Sequence, residues 1–145
     1  MTKFIYKIVE TEEELQGANE VRRQVFVMEQ GIAEGLVFEK AEGSDKINVV
    51  VKNEGMVIGT ARVVYPDDDT AKIERMAVLK SFRNRGVGKG IISFLNEEFK
   101  RKKITHIVLH AQYQVIDFYG ACGFHESGLP FEEAGIRHVK MEMRY

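Results

Sequence analysis

Residues 73–90, IERMAVLKSFRNRGVGKG, join an apolar strand to a glycine-led helix through a basic turn, and the rest of the chain is organised around that junction. Ile73, Met76, Ala77 and Val78 read as the strand. Beyond the turn, Ile91, Ile92, Leu95 and Phe99 recur at helical spacing behind Gly86 and Gly88. A helix start leaves its first backbone N–H groups unpaired and carries roughly half a positive charge, so an anion placed there meets donors and a favourable field. Glycines let the backbone approach such an anion closely. Arg83, Arg85 and Lys89 add cationic side chains at the same point, which makes this turn a candidate phosphate site.

Two nucleotide motifs fail here at one residue. A Walker A loop counted from Gly86 needs its second glycine at Ile91, and a GxGxxG dinucleotide fingerprint needs its third glycine at the same place. The turn instead reads RxxGxG, from Arg83 through Asn84, Arg85, Gly86 and Val87 to Gly88, after a strand ending Met76-Ala77-Val78. This resembles motif A of the GNAT superfamily of acyl-CoA-dependent N-acyltransferases, whose loop wraps the coenzyme A pyrophosphate. Downstream, residues 112–124, QYQVIDFYGACGF, are similar to the second half of that coenzyme site, NxxAxxFYxxxGF. Phe118, Tyr119, Gly123 and Phe124 fall in register, while Gln112 stands for the usual Asn and Val115 for the usual Ala. Residues 21–32, VRRQVFVMEQGI, further resemble the ElaA-like branch, in which a run of the type RxxVFVxEQ precedes an acceptor-side loop.

Around these motifs the chain alternates strands and helices. Residues 4–9 have strand composition. Thr11 and Glu14 form a capping box that opens a helix with Leu15, Ala18, Val21, Val25 and Met28 as its buried stripe and Glu20, Arg23 and Gln24 in solvent. An aperiodic loop with Glu34, Glu39 and Glu42 follows. Residues 47–52 and 56–65 form a hairpin around Asn53-Glu54-Gly55, and the turn at 66–69 leads to a third strand over 70–78. After the glycine-led helix come a strand over 104–110, a helix over about 112–121 with Val115, Phe118 and Tyr119 inward, a loop with Gly128, Pro130 and Gly135, and a last strand over 136–143. The order predicts one α/β domain over residues 1–145. The resemblance implies a central, mostly antiparallel mixed sheet flanked by helices, with a splayed strand pair forming the coenzyme cleft.

At 145 residues and 44% hydrophobic content the chain supports a real core. A net charge of −1 argues against nucleic acid as a partner, and Lys100 to Lys103 are better read as cations favoured at a helix C-terminus. No apolar run approaches a membrane span, the first residues do not form a signal peptide, and one cysteine, Cys122, excludes an internal disulfide. A cytoplasmic protein without a metal is expected, and a homodimer stays compatible with the resemblance.

The resemblance implies transfer of an acetyl group from acetyl-CoA to a primary amine of a small molecule or peptide, by direct attack in a ternary complex. The alternative is a non-catalytic coenzyme A sensor. In the enzyme, an ammonium of pKa about 10 must lose a proton and a thiolate of pKa about 8.5 benefits from one. Tyr119 is the candidate acid. Glu74 on the strand, Glu29 in the acceptor-side segment and His138 on the last strand are candidate bases beside a water relay. Met76, Ala77, Val78, residues 83–89, Gln112, Phe118 and Tyr119 are the expected coenzyme contacts, and Glu29 and Gln30 the acceptor-side ones. Cys122, with no histidine in useful sequence context, reads as a small buried residue.

Overall fold

The computed structural model describes residues 3–38 and 45–145. One eight-stranded sheet runs in the order β1-β2-β3-β4-β5-β8-β6, with β7 also paired to β8. Its first half is an antiparallel meander of β1 (Ile5–Ile8), β2 (Asp45–Asn53), β3 (Met56–Asp67) and β4 (Thr70–Val78). The second half holds β5 (His106–Gln112), β6 (His125–Glu126), β7 (Phe131–Glu133) and β8 (Ile136–Arg144). The β2–β3 turn places Glu54 and Gly55 at φ 50° and 82°, the double positive φ of a two-residue hairpin.

Helix α1 (Glu12–Arg22) starts in the expected capping box. It runs directly into a π-helical segment, Arg23–Glu29. That widening corrects the predicted stripe: more residues per turn bring Phe26 into the core beside Val25 and rotate Met28 out, where it is 72% exposed. A short helix α2 (Glu34–Val37) occupies part of the expected loop, while Glu39 and Glu42 lie outside the described residues. Helix α3 (Val87–Arg101) buries Ile91, Ile92, Leu95 and Phe99 as predicted.

The sheet separates two cores. On one face α3 packs against Val49, Val51, Ile58, Val63, Ile73 and Leu109; on the other, Val21, Val25, Phe26 and Val37 close over Ala77. Beyond β5, helix α4 (Ile116–Ala121) is shorter than the predicted helix over 112–121, because Gln112 still belongs to β5 and Tyr113–Val115 form a 3₁₀ turn. Val115 is therefore 36% exposed and not on an inner helical face. The expected loop before the last strand also contains structure. β7 and β8 form a hairpin across Ala134 and Gly135, at φ 54° and 76°.

Candidate active site

The decisive geometry is between β4 and β5, the sheet's parallel pair. They are in register from Thr70↔His106 to Ile73↔Leu109 and pair no further, although β4 continues to Val78 and β5 to Gln112. The sheet is thus open between the two strand ends. A cavity of about 1130 Å³ occupies this opening and reaches both faces.

A bulge shapes the β4 edge. Arg75 and Met76 together oppose Ala61 of β3, and Arg75 sits at φ 53°. A bulge bends its strand and re-aims the backbone. The left-handed conformation of a non-glycine residue costs roughly 1–3 kcal/mol, and the Arg75 guanidinium offsets it by donating to the carbonyls of Val37 (3.1 Å) and Leu36 (3.0 Å). At the end of β4, Leu79 N–H donates to Ile58 O (2.9 Å). Because strand N–H groups alternate in direction, that of Val78 is turned to the opposite edge, which is the cleft.

On the α3 face the cavity is lined by Asn84, Gly86, Val87, Gly88, Lys89, Phe118 and Tyr119. Gly86 is the helix N-cap at φ 80° and offers no capping side chain, so the first amides of α3 are left without one. A Cβ on Gly88 would come 3.1 Å from the Phe118 ring. The helix start and α4 thus approach so closely that a side chain at residue 88 would press on the Phe118 ring. Lys89 lines the same space, while Arg85 lies over the Phe82 ring (5.3 Å) and outside the cavity lining. Arg83 lines the cavity with its guanidinium already engaged: Nε donates to Val78 O (3.0 Å) and both terminal nitrogens to the Glu29 carboxylate (3.0 and 2.8 Å). Glu29 itself does not line the cavity.

Tyr119 is buried, edge-on to Phe118 and Phe124. Burial pushes its phenol well above the ordinary tyrosine value, which keeps the O–H group protonated across neutral pH. Burial also pushes the Cys122 thiol up, with nearby Lys89 opposing. A raised thiol is a poor nucleophile at neutral pH.

The other face of the opening is walled by Val25, Phe26, Ile32, Leu36 and Val37, with Gln30, Glu74 and His138 also lining it. Gln30 and Gln112 donate to each other's carbonyl oxygens (3.1 and 2.9 Å), linking the end of the π-helical segment to the tip of β5. Glu74 Oε1 accepts from Arg62 Nε (2.7 Å), so one oxygen of this candidate base is held by a guanidinium. His138 is 6% exposed and its Nδ1–H donates to Ile136 O (2.7 Å). That bond leaves the lone pair of the neutral ring on Nε2.

Sequence reasoning missed two features. Arg22 is buried and donates to Asn19 (3.0 Å) and Asn48 (2.7 Å), tying α1 to β2; burial lowers its guanidinium to about 10. Glu133 is the other. It lines the cavity between His110 and His138, and only recognition of the 131–138 hairpin could have found it.

A mixed sheet opened between parallel strands, with a glycine-led helix start on one face of the opening and an apolar wall on the other, is an architecture that acyltransferases use. A family model described as an acetyltransferase (GNAT) domain matches residues 9–145, and the chain belongs to that family. It is 39% identical over 139 residues to YyaT of Bacillus subtilis, covering 93% of this chain and 92% of that protein. The fold matches that of Escherichia coli ElaA with a TM-score of 0.84 at 21% identity, over 99% of this chain and 100% of the other. It also matches the PaiA N-acetyltransferase of Thermoplasma acidophilum, solved in complex with coenzyme A, with a TM-score of 0.80 at 18% identity over 99% of both chains.

Proposed function

We propose that the protein transfers an acetyl group from acetyl-CoA to a primary amine by direct attack. The observation that carries this reading is the parting of β4 from β5 beyond Ile73 and Leu109, with the α3 start on one side and the pocket under Phe26 and Val37 on the other. The coenzyme's phosphates belong at the amides of Gly86 to Lys89 with the Lys89 ammonium beside them. The complex of PaiA with coenzyme A supports coenzyme binding by this fold. Arg83 serves there through position, since its bonds to Val78 and Glu29 join the phosphate turn to the acceptor-side segment.

The acyl arm then lies along the β4 edge, where the Val78 N–H is available to the arm. Tyr119 holds a proton at its phenol oxygen and gives it, or a hydrogen bond, to the departing sulfur; a proton that is given returns to the phenolate from water once the products leave. The amine enters from the opposite face. The nitrogen attacks the acyl carbon, the C–S bond breaks with its electron pair on sulfur, and the amine's proton passes to a base on the acceptor side. We assign that role to His138, in support of which its Nδ1–H is bonded to Ile136 O and the lone pair of the neutral ring lies on Nε2.

The test is acetyl-CoA turnover, read as free thiol against a panel of primary amines, for wild type and Tyr119→Phe, with calorimetric coenzyme binding for both. General acid catalysis contributes roughly 10²–10⁴-fold, so a loss of at least about 10²-fold in kcat is expected while coenzyme affinity is retained. Equal turnover in the variant would remove Tyr119 from the acid role. Coenzyme binding without turnover on any amine would turn the reading toward a sensor.

A further inference from the structure

His110, Glu133 and His138 stand on three different strands, β5, β7 and β8, and line the acceptor side of the cavity together. Glu133 Oε1 accepts from His110 Nδ1–H at 3.0 Å, while Oε2 faces His138 Nε2 across 3.9 Å. Phe131 fixes both rings, stacking on His138 (5.9 Å between centroids, 22°) and meeting His110 edge-on (5.0 Å, 78°). The imidazole pair cannot drift apart without disturbing this ring.

The 3.9 Å gap is too long for a hydrogen bond. It has an acceptor on each side, because Nδ1–H of His138 is committed to Ile136 O and Nε2 keeps its lone pair. One ammonium nitrogen donating to both at about 2.8 Å spans such a gap. The charge is suitable as well: the hydrogen bond from His110 holds the Glu133 carboxyl below its usual range against the opposing effect of burial. Past this pair the cavity wall is Val25, Phe26, Ile32, Leu36 and Val37, which suits a hydrocarbon or aromatic body.

Resting on the acetyltransferase reading, we propose that Glu133 and His138 form the receptor for the acceptor's ammonium group, and that the acceptor is a protonated primary amine on an apolar body. Glu133 Oε2 holds the ammonium by charge and hydrogen bond. One N–H bond breaks, its proton goes to His138 Nε2, and the electron pair stays on nitrogen for attack. The imidazolium so formed is stabilised by the facing carboxylate until its proton leaves to water. His110 is the positioning residue, holding the second carboxylate oxygen.

Calorimetric titration of coenzyme A-saturated protein with phenethylammonium and with phenethyl alcohol, for wild type and Glu133→Gln, tests this without requiring turnover. Wild type is expected to bind the cation at least tenfold more tightly than the alcohol, and Glu133→Gln to lose that preference while binding the alcohol and coenzyme A as before. In turnover with the same amine, Glu133→Gln should raise its KM with coenzyme KM unchanged, and His138→Gln should lower kcat. Equal affinity for cation and alcohol in wild type, or an undiminished preference in Glu133→Gln, would overturn the proposal. Failure of coenzyme A to bind at all would strike the acetyltransferase reading instead, and the cation preference measured without coenzyme would then still decide the receptor.

Discussion

Glu14 does three jobs with one carboxylate. Oε1 accepts from the N–H groups of Glu10 (2.8 Å) and Thr11 (3.3 Å), closing the α1 capping box, and Oε2 lies 2.8 Å from both Lys7 and Lys52. The hydrogen bond from Lys52, then that from Lys7, holds its carboxyl far below the ordinary carboxylate range. A carboxyl depressed in the folded state adds stability that is fully present above the unfolded value of about 4.3 and is lost as pH falls below it. Thermal melts from pH 7 to pH 3 should therefore show Glu14→Gln less stable than wild type at neutral pH, with the difference shrinking on acidification. The capping box was legible in the sequence because it is a local pattern of residues 11 and 14. The lysines that complete the site were not, since Lys52 arrives from another strand.

At the scale of elements, the segment after α1 separates two readings of the same residues. A regular helix places Met28 on the buried stripe of Val21 and Val25, whereas the π-helical widening buries Phe26 in its place. Phe26→Ala should cost about 3 kcal/mol and Met28→Ala less than about 0.5 kcal/mol in denaturant unfolding. Similar losses at the two positions would contradict the observed register. Strands β2 to β4 and helix α3 were legible because their periods and turns are short-range signals: Gly55 in a tight hairpin, Gly86 before a helical stripe. The extra residue in the π turn has no such signal. The β7–β8 hairpin was missed for a related reason, since three residues of strand, FEE, are too few to show alternation, and Glu133 went with it.

For the molecule as a whole, function rests on a relation that no local pattern encodes, namely where β4 and β5 stop pairing. The RxxGxG turn and the FYxxxGF stretch pointed to the coenzyme side because they are contiguous motifs. The wall of the cavity opposite the α3 start is assembled from residues 25–37, 62–75 and 110–138, and its composition emerges only once the sheet brings them together. It also emerges that Glu29, an expected acceptor-side contact, and Glu34 of the following segment are matched to Arg83 and Arg23. The coenzyme is expected to enter the opening between β4 and β5. The most direct measurement is titration of coenzyme A into ¹⁵N-labelled protein, following backbone amide shifts. The largest changes are expected at Met76 to Val78, Gly86 to Lys89, Phe118 and Tyr119, with α1 and the far end of α3 little affected. Saturable shifts elsewhere, or none at the α3 start and the β4 edge, would contradict the account.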